Sequence, residues 1–199
     1  MNYEAIAEQV MRRLFVELEA SGRHVHVTKE QAMALFGHPL TPKRELSQPG
    51  QYLANERVTV VGPKGEFANV AVLGPERSAG QVELSMTDAR VLGLHAPVRL
   101  SGQIQDTPGA VLKSERASVQ LPEGVLVAQR HIHITPEDAQ RMGVKDKQVV
   151  RLQTYTDRPL VFGDVVVRVS PSFQTRAHLD YDEANACGFQ NGDFGRILP

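Results

Sequence analysis

SGRHVHVTKEQAMALFG (residues 21–37) and AQRHIHITPEDAQRMG (residues 128–143) are two copies of one pattern. Each copy has an arginine, a His-x-His triplet, a threonine, and an acid or amide three residues after that threonine. The triplet predicts a short β-strand, and the threonine predicts the N-cap of a short helix. His131 follows His24 by 107 residues, about half of the chain, so the sequence indicates an internal duplication.

The rest of the sequence favours further short strands. Runs rich in valine, such as RVTVVG, VAVLG, QVVRLQT and FGDVVVRVS, are punctuated by glycine and proline. This texture is typical of barrels and sandwiches. A fainter copy of the capped helix, SMTDARVLGL (residues 85–94), lacks histidines. We therefore expect a mainly β protein with two related β-barrel domains and short capping helices, over residues 21–115 and 116–199, with the boundary in polar sequence.

Residues 1–20 are expected to form a separate N-terminal amphipathic helix. Ile6, Val10 and Leu14 recur at a spacing of four, and no residue from 3 to 20 breaks a helix. The favoured interpretation is that this helix packs on the protein's own body. The alternative is a docking peptide for a shell or partner protein.

Composition excludes several classes of protein. A formal net charge of −1 does not support a nucleic-acid binder, which usually has a basic excess. Cys187 is the single cysteine, so a disulfide framework or a multi-cysteine zinc site within one chain is excluded. No apolar run approaches the roughly 18 residues of a membrane span. The acidic first twenty residues do not resemble a secretory signal, and a cytoplasmic location is expected.

The repeated histidines are candidate metal ligands. Residues i and i+2 of a strand face the same side, so His24 pairs with His26 and His131 with His133. Neutral imidazole is a common zinc ligand, but two histidines leave a metal short of ligands. His178 and Glu83 are the candidate further donors. For one His-x-His alone, a half-exposed strand with incidental histidines is the usual explanation, and the duplication weakens it. His38 and His95 are expected at the surface.

VLGPERSAGQVELS (residues 72–85) is a candidate phosphate-binding loop. A strand is expected to end before Gly74, and Arg77, Ser78 and Gly80 then follow in a tight loop. Glycine lets the backbone approach an anion, and the arginine fork suits phosphate. A solvated turn would explain the loop equally well if it stood alone. A neighbouring metal cluster favours phosphate.

Two competing patterns are less favoured. The first histidine pair, Glu30 and Gly37 reproduce half of a cupin metal motif, but the threonine-capped stretch predicts a helix that turns Glu30 away. Cys187 has no basic partner nearby, so a buried helical residue is favoured over an acyl-carrying nucleophile.

Taken together, these segments resemble the phosphate propanoyltransferase family, the Pdu-type phosphotransacylases. The resemblance covers most of the chain in family order. One departure is FVELEAS, which stands where relatives often have an Ile-Pro-Val-Gly-Val-type strand. A separable N-terminal extension is also missing, which weakens the case for packaging in a microcompartment. The matching segments are GRHVHVTKEQAMALFG, LSQPGQY, VTVVGPKG, VLGPERSAGQVELSMTDARVLG, RHIHITPEDAQRMGV and VVVRVSPSFQTRAHLDYDEANACG.

The resemblance implies two barrels that hold two zinc ions with phosphate between them. The implied ligands of one metal are His24, His26 and Glu83, and those of the other are His131, His133 and His178. The implied phosphate-binding residues are Arg77, which would also be catalytic, Gly80 and Gln81, with Gln48 and Arg168 as further candidates. The implied reaction converts propanoyl-CoA or acetyl-CoA and phosphate to acyl phosphate and coenzyme A.

Other functions remain open at this point. A metal-dependent acyl-CoA thioesterase would use the same histidines, and a non-catalytic zinc-binding module would not need the Arg77 loop. The donor that stabilises the tetrahedral oxyanion could be a metal, Ser78 or a backbone amide. A homodimer, microcompartment shell or cargo partners, and residence in a microcompartment are further expectations from the family.

Overall fold

The computed structural model describes Tyr3, Val10, Met11 and residues 13–198. The protein is mainly β, as the sequence predicts. The strands are β1 (Val16–Ser21), β2 (His24–His26), β3 (Pro42–Glu45), β4 (Tyr52–Val61), β5 (Glu66–Gly74), β6 (Gln81–Leu84), β7 (Val98–Arg99), β8 (Ala110–Lys113), β9 (Ser118–Leu121), β10 (Val125–Ala128), β11 (His131–Ile134), β12 (Val149–Tyr155), β13 (Val161–Val169), β14 (Arg176–Asp180) and β15 (Phe194–Leu198). The short helices are α1 (Lys29–Phe36), α2 (Met86–Leu92), α3 (Pro136–Met142) and α4 (Tyr181–Cys187).

The chain divides into two units at positions other than those predicted. The central unit is Gly22–Ala128, and the terminal unit combines Met1–Ser21 with Gln129–Pro199. The polar stretch chosen as the boundary after residue 115 is the turn of a hairpin, because β8 and β9 pair antiparallel on either side of it. β8 also pairs with β4, so this hairpin extends the central sheet. The division therefore lies after Ala128 rather than after residue 115.

The predicted helix over residues 3–20 is wrong at its C-terminal end. Residues Val16–Ser21 form β1, in which Val16 and Leu18 are buried on one face. Tyr3, Val10, Met11, Arg13 and Leu14 are helical, while residues 4–9 and 12, with Ile6 of the predicted stripe, lie outside the described residues. Val10 is 48% and Leu14 53% exposed, so these two side chains do not pack on the body as expected.

The two units are related β-sheets, and the sheet of the terminal unit closes into a barrel. The terminal unit is a closed barrel of order β1-β14-β11-β13-β12-β15. The central unit is a nine-stranded half-barrel sheet of order β7-β10-β6-β2-β5-β4-β8-β9, with β3 paired to β4. Both His-x-His strands have the same neighbours, because β2 lies between parallel β5 and antiparallel β6, and β11 lies between parallel β13 and antiparallel β14. This equivalence confirms the predicted duplication.

The strand before each His-x-His strand belongs to the other unit. β1 precedes β2 in the chain but pairs in parallel with β14 of the terminal barrel. β10 precedes β11 but pairs in parallel with β6 of the central sheet. The two repeats therefore exchange one strand each, and neither sheet is built from a continuous half of the sequence.

Each short helix directly follows a strand that carries candidate ligands. In all four, the N-cap side chain accepts a hydrogen bond from the backbone N–H of the third helical residue, and the helix ends at a glycine in the left-handed region. The caps therefore mark where each strand with candidate ligands ends and its helix begins. The N-caps are Thr28, Ser85, Thr135 and Asp180, and the terminal glycines are Gly37, Gly93, Gly143 and Gly188.

Candidate active site

The central cluster consists of His24 and His26 on β2 and Glu83 on β6. The two strands are antiparallel, with His24 opposite Glu83 and His26 opposite Gln81. Since directly opposite residues share a face, the two imidazoles and the carboxylate project to the same side of the sheet. All three ligand candidates are buried, so their polar atoms are shielded from water.

Backbone carbonyls orient both histidines of the central cluster. His24 Nδ1 lies 2.8 Å from the oxygen of Gly22, and His26 Nδ1 lies 3.1 Å from the oxygen of Leu73. A carbonyl only accepts, so in the neutral ring Nδ1 carries the proton and Nε2 presents a lone pair. This arrangement is the usual outer-shell support of a metal-binding histidine.

The spacing of the ligand atoms fits one zinc ion. The Nε2 atoms of His24 and His26 lie 3.5 and 3.6 Å from Glu83 Oε1. Tetrahedral ligands at about 2.0–2.1 Å from zinc would be separated by about 3.4 Å, whereas direct hydrogen bonds prefer about 2.7–3.2 Å. Two imidazoles and one carboxylate with an open fourth position are also a known ligand set of catalytic zinc.

Burial and the Glu83 charge set the protonation of the cluster. Burial opposes the charged form of His24, but the Glu83 carboxylate outweighs it and raises the pKa of His24. Burial lowers the pKa of His26 to about 4, with help from the charges of His24 and Arg77. Burial opposes ionisation of Glu83, yet its charge interactions and hydrogen bonds with the two histidines hold its pKa well below the usual range. The site therefore presents a carboxylate and, at His26, a neutral imidazole.

A hydrogen-bonded network connects Glu83 with the predicted phosphate loop. Glu83 Oε1 accepts hydrogen bonds from Gln81 Nε2 at 2.6 Å and from Ser101 Oγ at 2.7 Å. Arg77 Nη1 donates to Ser101 Oγ at 2.8 Å, and the backbone N–H of Gly102 donates to Gln81 Oε1 at 2.7 Å. The structure thus brings Arg77 and Gln81 to the central cluster. Ser101 was not predicted, because it lies in a turn 18 residues beyond Glu83 with no pattern around it.

Gly80 and Gln48 are two further phosphate candidates. A Cβ atom on Gly80 would lie 2.6 Å from Gln31 Oε1 in the cap of α1, so close packing gives a reason for glycine there. Gln48 is buried in the segment between β3 and β4. The phosphate role of both residues stays a prediction.

The terminal cluster consists of His131 and His133 on β11 and His178 on β14. These strands are antiparallel, with His131 opposite His178. The ring centroid of His178 lies 5.0 Å from that of His131 and 4.8 Å from that of His133. One possible ligand atom from each of the three side chains lies within 4.8 Å of the other two. His131 Nδ1 lies 2.8 Å from the backbone oxygen of Gln129, the same distance that separates His24 Nδ1 from the backbone oxygen of Gly22. Three imidazoles are also a ligand set of catalytic zinc.

Arg168, a further phosphate candidate, contacts the terminal cluster. It lies opposite His133 in the parallel pairing of β11 with β13, and its Nη1 is 3.3 Å from His133 Nε2. The Phe173 ring stacks on His133 at 4.0 Å between centroids, and the Arg168 guanidinium lies 5.7 Å from the same ring. Zinc bound at His133 Nε2 would require the guanidinium to shift away. Phe173 was not predicted as a neighbour of the site.

The remaining sequence candidates have ordinary structural roles. Glu30 is exposed on α1, which excludes the cupin-type arrangement. Cys187 is buried in the terminal core, and burial raises the pKa of its thiol, so it is a poor nucleophile. His38 and His95 are exposed, as predicted.

The structure reveals a second duplicated motif that was not predicted from the sequence. ELSMTDARVLG (residues 83–93) and HLDYDEANACG (residues 178–188) occupy equivalent strands and helices, β6 with α2 and β14 with α4. Glu83 and His178 are therefore equivalent candidates for the third ligand of each cluster. The change from glutamate to histidine and the low identity between the copies hide this match, and only the capped helix and terminal glycine signal it.

None of the helices among the described residues is both long and apolar enough to cross a membrane.

Comparison with known proteins agrees with this geometry. The family model described as phosphate propanoyltransferase matches residues 17–190. Three proteins named phosphate propanoyltransferase are similar over nearly their whole length. The Listeria monocytogenes protein is 54% identical over 207 residues, covering 100% of this chain and 97% of its own. The Enterococcus faecalis protein is 53% identical, with 97% and 95% covered. The Salmonella typhimurium protein is 49% identical, with 94% and 91% covered. The chain therefore belongs to the phosphate propanoyltransferase family of acyltransferases.

Proposed function

We propose that this protein transfers a short acyl group, propanoyl or acetyl, between coenzyme A and phosphate at a zinc-dependent site. The names of the relatives support the reaction class and the substrates. The observation that carries the proposal is the contact chain from Arg77 through Ser101 to Glu83. It puts a guanidinium suited to phosphate beside a buried set of metal ligands.

Each unit is proposed to hold one zinc ion. His24, His26 and Glu83 would bind the ion of the central unit, and the three histidines of the terminal cluster would bind the other. When bound, zinc would supply positive charge that orients and polarises oxygen atoms of the reactants. A set of three protein ligands would leave the fourth position of a tetrahedral zinc ion for a reactant.

The reaction needs an oriented phosphate more than a strong base. A phosphate oxygen attacks the thioester carbonyl carbon, the carbon–sulfur bond breaks, and the sulfur leaves as the thiolate of coenzyme A and takes up a proton. Arg77 would contact the phosphate oxygens through its guanidinium group and offset their charge. Arg168 would make a similar contact beside His133, and Gln81 would hold Glu83 in place.

Product analysis tests the proposal. Purified protein is given propanoyl-CoA with and without phosphate, and both coenzyme A and acyl phosphate are measured, the latter by trapping with hydroxylamine. We expect equal amounts of the two products, dependence on phosphate, loss of activity with a zinc chelator, and recovery with added zinc. Release of coenzyme A with free propanoate and no need for phosphate would indicate a thioesterase instead. Zinc binding without turnover of any acyl-CoA would indicate a non-catalytic module.

A further inference from the structure

An arginine precedes the first ligand in both clusters, and in both it is held by a carboxylate. Arg23 donates to Asp88 in a bidentate pair, with Nε to Oδ2 at 3.1 Å and Nη2 to Oδ1 at 2.7 Å. Arg130 Nη1 donates to Glu183 Oε1 at 2.5 Å, and its Nε donates to the oxygen of Gly163 at 2.5 Å. We call each arginine–carboxylate pair a clasp.

The two clasps are built in the same way. Asp88 is the third residue of α2, five residues after Glu83, and Glu183 is the third residue of α4, five residues after His178. Both carboxylates also accept a hydrogen bond from the N-cap backbone N–H of their helix, at 3.4 and 3.1 Å. Each clasp therefore ties the strand with the His-x-His ligands to the helix that follows the third ligand.

An aromatic ring lies under each arginine. The Arg23 guanidinium is 4.2 Å from the centroid of Phe67 on β5, and that of Arg130 is 5.9 Å from Phe162 on β13. Phe67 and Phe162 are equivalent, since each stands four residues before the partner of the first histidine in its sheet register. Cation–π contact adds to the ion pair at each position.

Each clasp acts on the backbone that orients a ligand. Gly22 and Gln129, whose carbonyls receive Nδ1 of His24 and His131 at 2.8 Å, directly precede the clasp arginines. The peptide plane that carries each carbonyl also carries the arginine N–H. Holding the arginine therefore limits rotation of this plane and keeps the carbonyl aimed at Nδ1.

We propose that Arg23 and Arg130 are positioning residues that hold the first histidine of each cluster in its zinc-binding tautomer and orientation. The proposal rests on the zinc sites of the proposed function. Neither arginine needs to touch a reactant. A purely structural role is the alternative, in which the ion pairs stabilise the fold without affecting zinc affinity or the histidine tautomer.

The test measures the zinc affinity of one unit at a time. His133→Ala removes a ligand of the terminal cluster, so zinc affinity in this background reports the central cluster. Adding Arg23→Met should weaken that affinity by about 10- to 100-fold, as loss of outer-shell support typically does. Arg23→Lys, which keeps the charge without the fork, should lie between. Arg141→Met, which breaks an ion pair with Asp138 on α3, is the matched control and should leave affinity unchanged.

The reciprocal background separates local from general effects. In His26→Ala protein, zinc affinity reports the terminal cluster, which Arg130→Met should weaken and Arg23→Met should not. Equal weakening of both clusters by Arg23→Met, or no weakening of the central one, would overturn the positioning role while leaving the zinc sites in place. Failure of both backgrounds to bind any zinc would overturn the proposed metal sites and the clasp proposal together.

A second readout does not involve metal. In zinc-free protein, at a pH high enough to keep His24 neutral, ¹⁵N shifts of the imidazole ring should report the Nδ1–H tautomer for His24. Arg23→Met should give a mixture of tautomers for His24 and leave His26, whose Nδ1 faces Leu73, unchanged. An unchanged His24 spectrum would contradict the proposal even if zinc affinity fell.

Discussion

Replacing Arg77 with alanine removes the guanidinium that we assign to phosphate. Arg77 is half-buried, and its Nη1 donates a hydrogen bond to the hydroxyl of Ser101 at 2.8 Å. One hydrogen bond to a charged group contributes about 1.5–3 kcal/mol, which corresponds to about a 10- to 100-fold loss of catalytic efficiency with phosphate. Ser101 would still donate to Glu83, so the metal ligands should stay in place.

The assay is initial-rate kinetics with phosphate and acyl-CoA varied separately. Arg77→Ala should raise the phosphate concentration needed for half-maximal rate and lower turnover, while zinc content and acyl-CoA saturation stay near those of the unaltered protein. Arg77→Lys should lose less, because lysine supplies the charge without the bidentate fork. Arg99→Ala, at an exposed position in the same unit, is the control and should behave normally. An unchanged phosphate dependence with weakened acyl-CoA saturation would refute the reasoning and assign Arg77 to the coenzyme A pocket.

Four further substitutions test the support of Glu83, the role of Cys187 and the assignment of β1. Ser101→Ala removes a 2.7 Å donor to Glu83 and should weaken zinc binding in the central unit about 10-fold or more; unchanged affinity in a competition titration would exclude this support role. Cys187→Ala should retain full turnover and cost about 1 kcal/mol, or about 2–4 °C in melting temperature; loss of turnover in the folded variant would revive a thiol mechanism. Leu18→Ala should destabilise the protein by about 2–5 kcal/mol, whereas Leu14→Ala should change it by less than about 0.5 kcal/mol; equal effects would contradict strand β1.

The parts of the fold that depend on local sequence were predictable. A His-x-His triplet places two side chains on one face of any strand, so the two pairs of ligands followed from a period of two. The threonine caps at Thr28 and Thr135 and the glycines after their helices marked α1 and α3, for the same local reason. Glu83 and His178 were candidates only because metals need further donors, and the structure brings both to the expected pairs.

The parts that depend on long-range pairing were not predictable. Leu18 fits the face of a helix that contains Leu14, and with Val16 it equally fits alternate positions of a strand. Only the pairing of β1 with β14, about 160 residues away in the chain, decides between the two. The boundary failed for a similar reason, because polar residues are as common in a hairpin turn as in a linker, and β8 reveals its place only by pairing with β4.

The sequence predicted the side chains that cluster but not the residues that support them. Ser101 contacts Glu83 from 18 residues away in the chain. Asp88 and Glu183 are helix-cap residues whose second partners, Arg23 and Arg130, directly precede β2 and β11. A carboxylate at the third position of a helix is already explained by capping, so nothing in the sequence points to its additional arginine.

The most direct test of the proposal that two zinc ions support acyl transfer is to measure activity as zinc is added to metal-free protein. Protein stripped with a chelator is titrated with zinc, and phosphate-dependent formation of acyl phosphate is followed at each ratio of zinc to chain. We expect negligible activity without zinc and a rise that ends at about two equivalents, one for each three-residue cluster. Full activity in protein shown by elemental analysis to contain no metal would contradict it.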